Sequence, residues 1–309
     1  MRNTWFGYLK TNAEFAQNIA VIFYIGSWKQ FTEAQQITIQ KESQEYDDIL
    51  QFDVTDTIYN ATWKTFALFE WISFIEKTNK DNQGQAPIIL KINDQSVVNA
   101  DILLPFLSEI RTYMNSLFFP EELPIYGSII NSNNIEKNIN QTFYVPQSVW
   151  PYKKWGFDYL SGNGYILTIP TIERMLALHY SCFRTVIFIE NVFFTGYLAD
   201  ILNIKLIDER RIYSTDQVPK RPQLPREYRN YAVIAEFNSS DFLNAWLQTK
   251  ANSLKNAILP LIKCTNIDGR MQSNLVENPF CSFFHGLELP ISPNEACQIA
   301  NSESYTYRY

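Results

Sequence analysis

The chain has 309 residues, 46% of them hydrophobic and 15% aromatic, with only 10 glycines; it can bury a substantial core and is neither disordered nor of low complexity. A formal net charge of -6, with no long basic run, excludes a surface built to coat nucleic acid. No stretch reaches the roughly 18–20 continuous apolar residues of a membrane helix, and the opening "MRNTWFGYLK" lacks the apolar core of a signal peptide.

In chain order, "AVIFYIG" (20–26) predicts a buried strand, being short, apolar, β-branched and aromatic, and closed by Gly26. "FTEAQQITIQKESQEY" (31–46) is polar and compatible with a helix, and "DDILQFDVTD" (47–56) carries a second strand. From Tyr59 to Thr78 the residues Trp63, Phe66, Ala67, Trp71, Phe74 and Ile75 recur at three-and-four spacing, which predicts an amphipathic helix interrupted at Glu70. "PIILKI" (87–92) is a third strand, and "NADILLPFLSEIRTYM" (99–114) resumes a helical pattern with an early Pro105. Strands alternating with helices predict βαβ units and a mostly parallel sheet. Ligands in such sheets bind beyond the carboxyl ends of strands, the position held by Asn93-Asp94-Gln95.

Further on, "IYGSII" (125–130) and "GYILTI" (164–169) predict strands, separated by an Asn-rich loop (131–142) and the aromatic stretch "SVWPYKKWGFDYLSGNGYI". That stretch reads either as packed aromatics in a surface turn or as a ligand-lining loop, since glycine lets backbone approach a ligand closely. "ERMLALHYSCF" (173–183) predicts a helix, and "TVIFIENVFFTGYLADILNI" (185–204) a strand running into one. "DQVPKRPQLPREYRN" (216–230) reads as a linker, and 231–309 as one strand ("YAVIAEF"), one helix and an irregular tail.

Two carboxylates at strand ends, Asp94 and Glu190, are the candidates for chemistry. A hard divalent cation takes carboxylate oxygens and substrate phosphates, and a second carboxylate serves as general base; the competing reading of each is an ordinary acid at a strand end. With two histidines, His179 and His285, and no CxxC pair among Cys182, Cys264, Cys281 and Cys297, the usual zinc ligand sets are missing. The cysteines read equally as buried thiols or as a disulfide towards the C-terminus, and His285 among aromatics reads as structural. Sequons stand at Asn60, Asn140 and Asn238.

Taken together, several stretches resemble the inverting β1,3-galactosyltransferase and β1,3-N-acetylglucosaminyltransferase family. "RNTW" (2–5) is similar to its R-x-T-W opening, and "EYDDILQFDVTDTIYNATWKT" (45–65) to E-x-x-x-Y-x-D-I-L-x-x-D-F-x-D-x-Y-x-N-L-T-x-K-T, through Asp48, Ile49, Leu50, Asp53, Asp56, Tyr59, Asn60, Thr62, Lys64 and Thr65. "LKINDQSVVN" (90–99) resembles K-x-D-D-D-x-F-V-N through Lys91, Asp94, Val98 and Asn99. "DYLSGNGYILT" (158–168) is similar to Y-P-x-Y-x-x-G-x-x-Y-x-L-S, and "IENVFFTGYLADILNI" (189–204) to x-E-D-V-x-x-G-x-x-A-x-x-L-G-I. The motifs keep their order from residue 2 to about 204.

The resemblance implies a GT-A fold, a Rossmann-like, mostly parallel α/β sheet flanked by helices. It also implies a transferase domain over 1–204, with 205–309 as a C-terminal α+β extension packed on it. A UDP-sugar, UDP-galactose or UDP-N-acetylglucosamine, would be held by Arg2, Lys64, Lys91 and Asn93. A divalent cation, manganese by expectation, would lie on Asp94 and Gln95. Trp155, Tyr159, Gly162 and Tyr165 would border the glycan acceptor, and Glu190 and Asn191 would occupy the catalytic position. The expected location is the Golgi lumen, as a type II membrane protein whose anchor is missing from this chain. The chain departs from the family where the chemistry belongs: Asn93 and Gln95 replace two of three aspartates, and Asn191 replaces the aspartate of E-D-V. A neutral amide accepts no proton at working pH, which leaves Glu190 as base or the chain as a catalytically silent binder of sugar, nucleotide sugar or a partner transferase.

Overall fold

The computed structural model describes residues 5–11, 19–27, 32–78, 87–116, 123–131, 134–182, 186–212 and 231–234. The chain divides into two compact units: Met1–Thr57 with Asn93–Ile110 and Arg210–Glu277, and Ile58–Ile92 with Arg111–Glu209 and Asn278–Tyr309.

In the first unit, β1 (Phe23–Ser27) pairs in parallel with β2 (Ile49–Thr55), Phe23 opposite Ile49 and Gly26 opposite Phe52. The register slips after Gly26, where a Cβ would stand 2.3 Å from the Val54 carbonyl oxygen, so only glycine fits the irregularity. Helix α1 (Trp5–Thr11) buries Trp5, Phe6 and Leu9. The connection between the two strands carries α2 (Glu33–Tyr46). Thr32 caps it reciprocally with Gln35, and Asp47 ends it in the left-handed region at φ 49°. A short strand, β3 (Val97–Val98), pairs antiparallel with β4 (Val233–Ile234).

In the second unit a mixed sheet runs in the order β5 (Ile88–Ile92), β6 (Tyr159–Thr168), β7 (Ile125–Ile130), β8 (Leu206–Asp208). The first two pairings are antiparallel and the last is parallel. Helices α3 (Ala61–Thr78) and α4 (Ile169–Cys182) lie together. Phe66 packs against His179 with ring centroids 4.1 Å apart and planes tilted by 35°, and meets Phe193 and Phe194 edge-on. Each phenylalanine so buried contributes roughly 1.5–3 kcal/mol. Thr62 Oγ1 donates to the Ile187 carbonyl at 2.8 Å, and Ser73 Oγ donates to Glu173 at 3.1 Å.

The α/β class stands, with a mixed rather than mostly parallel sheet among the described strands. Alternating strands and helices do not specify direction, and here the long β6 sits between two antiparallel neighbours. Helix α3 continues through Glu70 without a break. The strand expected at 185–190 is absent among its described residues, 186–190, which form bends and the start of a helical turn. A short buried apolar run does not by itself declare its conformation. Residues 158–163, read with the aromatic stretch, belong largely to β6. The linker at 216–230, most of the segment from 231 onward, His285 and three cysteines lie outside the described residues. Cys182, at the end of α4, is disulfide-bonded.

Candidate active site

Strand pairing builds the centre of the second unit. Lys91 on β5 and Tyr165 on β6 are direct partners across the antiparallel ladder, so their side chains leave the sheet on the same face. Lys91 Nζ lies 5.2 Å from the Tyr165 ring centroid. Glu190 joins them: Lys91 Nζ donates to its Oε2 at 3.0 Å, and the Tyr165 hydroxyl donates to its Oε1. The Lys91 and Glu190 side chains are only 8% and 10% exposed, and Tyr165 is fully buried. Both oxygens of the one acid at this position are therefore already engaged, away from the screening that makes surface pairs weak.

Asn191, next in the chain, is held as an amide. Its Nδ2 donates to the Leu160 carbonyl at 2.8 Å, and its backbone carbonyl accepts from Thr195 Oγ1 at 2.7 Å. Thr195 Oγ1 in turn accepts from the Leu160 amide at 2.8 Å. One hydroxyl and one carboxamide thus clasp the segment after Glu190 to β6. That segment, Val192–Leu198, is π-helical before it continues as α5 (Ala199–Ile201); such turns recur at functional sites. Gly196 permits the approach, since a Cβ there would lie 2.6 Å from the Phe157 ring and 2.9 Å from Tyr159 Cβ.

The residues expected to border an acceptor are placed as follows. Trp155 is 3% exposed, with Trp150 and Phe157 at 5.5 and 6.1 Å between centroids. Tyr159 opens β6 and is buried, while Gly162 faces the Asn191 side chain, 3.5 Å from its hypothetical Cβ to Asn191 Cγ. Lys64 lies partly exposed in the first turns of α3, and Arg2 is outside the described residues.

Asn93, Asp94 and Gln95 belong to the first unit. Asn93 Oδ1 accepts from the Gln95 amide at 3.1 Å and from Ser96 Oγ at 2.6 Å, an Asx-type turn that an aspartate would make equally well. The Ser96 carbonyl accepts from Trp5 Nε1 at 3.2 Å. Asp94 and Gln95 are exposed on the turn. With Asn93 Oδ1 occupied and one formal charge in the triplet, the donor set is a poor fit for a tightly held divalent cation. Among the described residues no three or more His, Cys, Asp or Glu gather as a metal-ligating group. At the carboxyl end of β2, Asp53 Oδ1 accepts from Ser27 Oγ at 3.1 Å and Asp56 Oδ2 from the Gly26 amide at 3.0 Å. The motif reading singled out neither these contacts nor Thr195. Counted in register from Glu190, Thr195 falls on the glycine position of the motif, and its role is visible only once β6 and the π-helical turn are adjacent.

The galactosyltransferase family model matches residues 1–210. The chain is 23% identical over 269 residues to rat UDP-GlcNAc:betaGal beta-1,3-N-acetylglucosaminyltransferase 7, covering 84% of this chain and 63% of that one. To human N-acetyllactosaminide beta-1,3-N-acetylglucosaminyltransferase 4 it is 27% identical over 137 residues, 44% of this chain and 32% of that one. Mouse beta-1,3-galactosyltransferase 2 shares 24% over 181 residues, 57% and 37%. The chain matches 63% of the length of the rat enzyme and of a Xenopus laevis lactosylceramide 1,3-N-acetyl-beta-D-glucosaminyltransferase.

Proposed function

Because this chain belongs to the galactosyltransferase family, we propose that it binds a UDP-hexose, galactose or N-acetylglucosamine, and passes the sugar to a glycan 3-hydroxyl with weakened turnover. The observation that carries this reading is convergence. Lys91, Tyr165 and Glu190 come from three separate motif segments and meet in one buried hydrogen-bonded cluster. With a GT-A domain over 1–204, the residues that the motifs assign to the donor are Arg2, Lys64, Lys91 and Asn93. Asp94 and Gln95 would hold a divalent cation only weakly, and the chemistry it would supply there is neutralisation of charge on the UDP leaving group. Trp155, Tyr159, Gly162 and Tyr165 order the acceptor side. Transfer requires a base that takes the acceptor hydroxyl proton while the hydroxyl oxygen attacks the anomeric carbon and inverts it. Asn191 cannot be that base, so Glu190 is, on leaving its partners.

A second reading, a silent member that binds sugar or nucleotide sugar without transfer, is favoured by one observation. Glu190 accepts from Lys91 and Tyr165 at once, and Asn191 spends its amide on Leu160. Losing a general base costs on the order of a hundredfold to ten-thousandfold in rate. The Golgi lumen is the proposed location; among the described residues no helix is long and apolar enough to cross a membrane.

Calorimetric titration of UDP, UDP-galactose and UDP-N-acetylglucosamine, with and without manganese, tests both readings. UDP-sugar binding that manganese strengthens only weakly is expected, with the dependence rising in Asn93→Asp/Gln95→Asp. No binding of any UDP species overturns the proposal. A UDP-release assay then separates slow transfer from silence.

A further inference from the structure

The three sequons have different fates in the fold. Asn60 is followed by Thr62, whose hydroxyl is fully buried and donates to the Ile187 carbonyl, so the group that marks the triplet is used up inside the native structure. Asn238 lies outside the described residues. Asn140 is different. Asn140, Gln141 and Thr142 are all exposed, on a pair of turns in which the Gln141 amide donates to the Asn138 carbonyl at 3.0 Å and the Tyr144 amide to the Gln141 carbonyl at 3.1 Å.

The loop that presents them is anchored. Lys137 Nζ donates to the carbonyls of Val145 and Trp150, and the Val145 amide donates to the Glu136 carbonyl at 2.9 Å. A second observation comes from its surface. Ile139, 73% exposed, and Phe143, 52% exposed, flank the triplet and project from an otherwise polar turn. Apolar side chains standing singly on a surface are ordinary; a branched sugar attached between these two would lie against both.

We propose that Asn140 is an N-glycosylation site whose glycan lies over Ile139 and Phe143. The modification rests on the luminal location proposed above. The co-substrate is a polyprenyl-diphosphate oligosaccharide: Asn140 Nδ2 forms a bond to C1 of its first sugar, the bond from C1 to the diphosphate oxygen breaks, the amide loses one proton, and polyprenyl diphosphate leaves.

The experiment expresses the full chain behind a cleavable secretory signal, with Asn238→Gln removing the undescribed triplet, and takes only protein recovered from the medium. Because the signal supplies luminal entry, a negative result here counts against the local assignment and not against the proposed location. The expected result is a gel shift on treatment with an N-glycan amidase. That shift is lost in Asn140→Gln and Thr142→Ala and kept in Thr142→Ser. Secreted chain with no shift, or a shift that persists in Asn140→Gln and maps to Asn60, overturns the proposal.

Discussion

Glu190 and Asn191 show how neighbouring side chains can be committed to the fold and to a site at once. Lys91 and Glu190 form a nearly buried pair, and removing one partner of such a pair costs about 3–5 kcal/mol, because the other charge is left uncompensated. Lys91→Met should therefore lower the urea midpoint strongly. Lys91→Met/Glu190→Gln should cost less than the two single changes summed, and strict additivity would show that the pair is not coupled. Asn191 carries a sharper expectation. The family's aspartate at that position would turn a carboxylate oxygen towards the Leu160 carbonyl, where Nδ2 now donates. Asn191→Asp alone should cost about 1–3 kcal/mol, the penalty of an unsatisfied buried acceptor with a charge added. Full stability together with restored UDP release would show that the amide is dispensable. By contrast, Asn93→Asp keeps both acceptor contacts of its turn and should be neutral in the same denaturation.

The elements owe their limits to local chemistry that is visible residue by residue. Helix α2 begins where Thr32 Oγ1 accepts from the Gln35 amide at 3.3 Å and Gln35 Oε1 accepts from the Thr32 amide at 2.8 Å. Thr32→Ala removes half of this reciprocal cap and should destabilise the first unit by about 0.5–2 kcal/mol, read as a lowered denaturation midpoint. Thr32→Ser should restore it. The π-helical turn after Glu190 has no such sequence mark. Its hydroxyl clasp joins Thr195 to Leu160 across 35 residues, and the close approach depends on Gly196 meeting Phe157. A periodicity reading sees only a helix there, because one widened turn hardly disturbs the apolar pattern.

Among the described residues, Glu70 and His179 of the second unit make stability respond to pH, with opposite signs. Burial pushes His179 down from 6.5 to about 4, among Phe66, Trp63 and Phe193. Burial also pushes Glu70 up from 4.5 to about 7. For His179 the unfolded chain takes up protons first, so stability present above about 6.5 is lost as pH falls towards 4. For Glu70 the folded state holds the proton longer, so stability present below 4.5 is lost as pH rises through about 7. Denaturation across pH 4–8 should show His179→Phe flattening the acid limb and Glu70→Gln flattening the neutral one. Curves unchanged by either substitution would show that neither group is desolvated as described.

The α/β class, the positions of most of the described strands and helices, and family membership can be read from residue order alone. Apolar periodicity, capping residues and motif order are local properties carried along the chain: Ile125–Ile130 was readable to the residue, and Thr32 announces its helix. Folding in three dimensions set strand direction and the engagement of Glu190. It likewise turned Asn191 from a missing acid into a donor to Leu160, and buried one sequon's hydroxyl while exposing another's. These depend on which backbone comes to lie beside which, at separations from 25 residues for Tyr165 and Glu190 to 125 for Thr62 and Ile187, and a one-dimensional pattern carries no term for such partners.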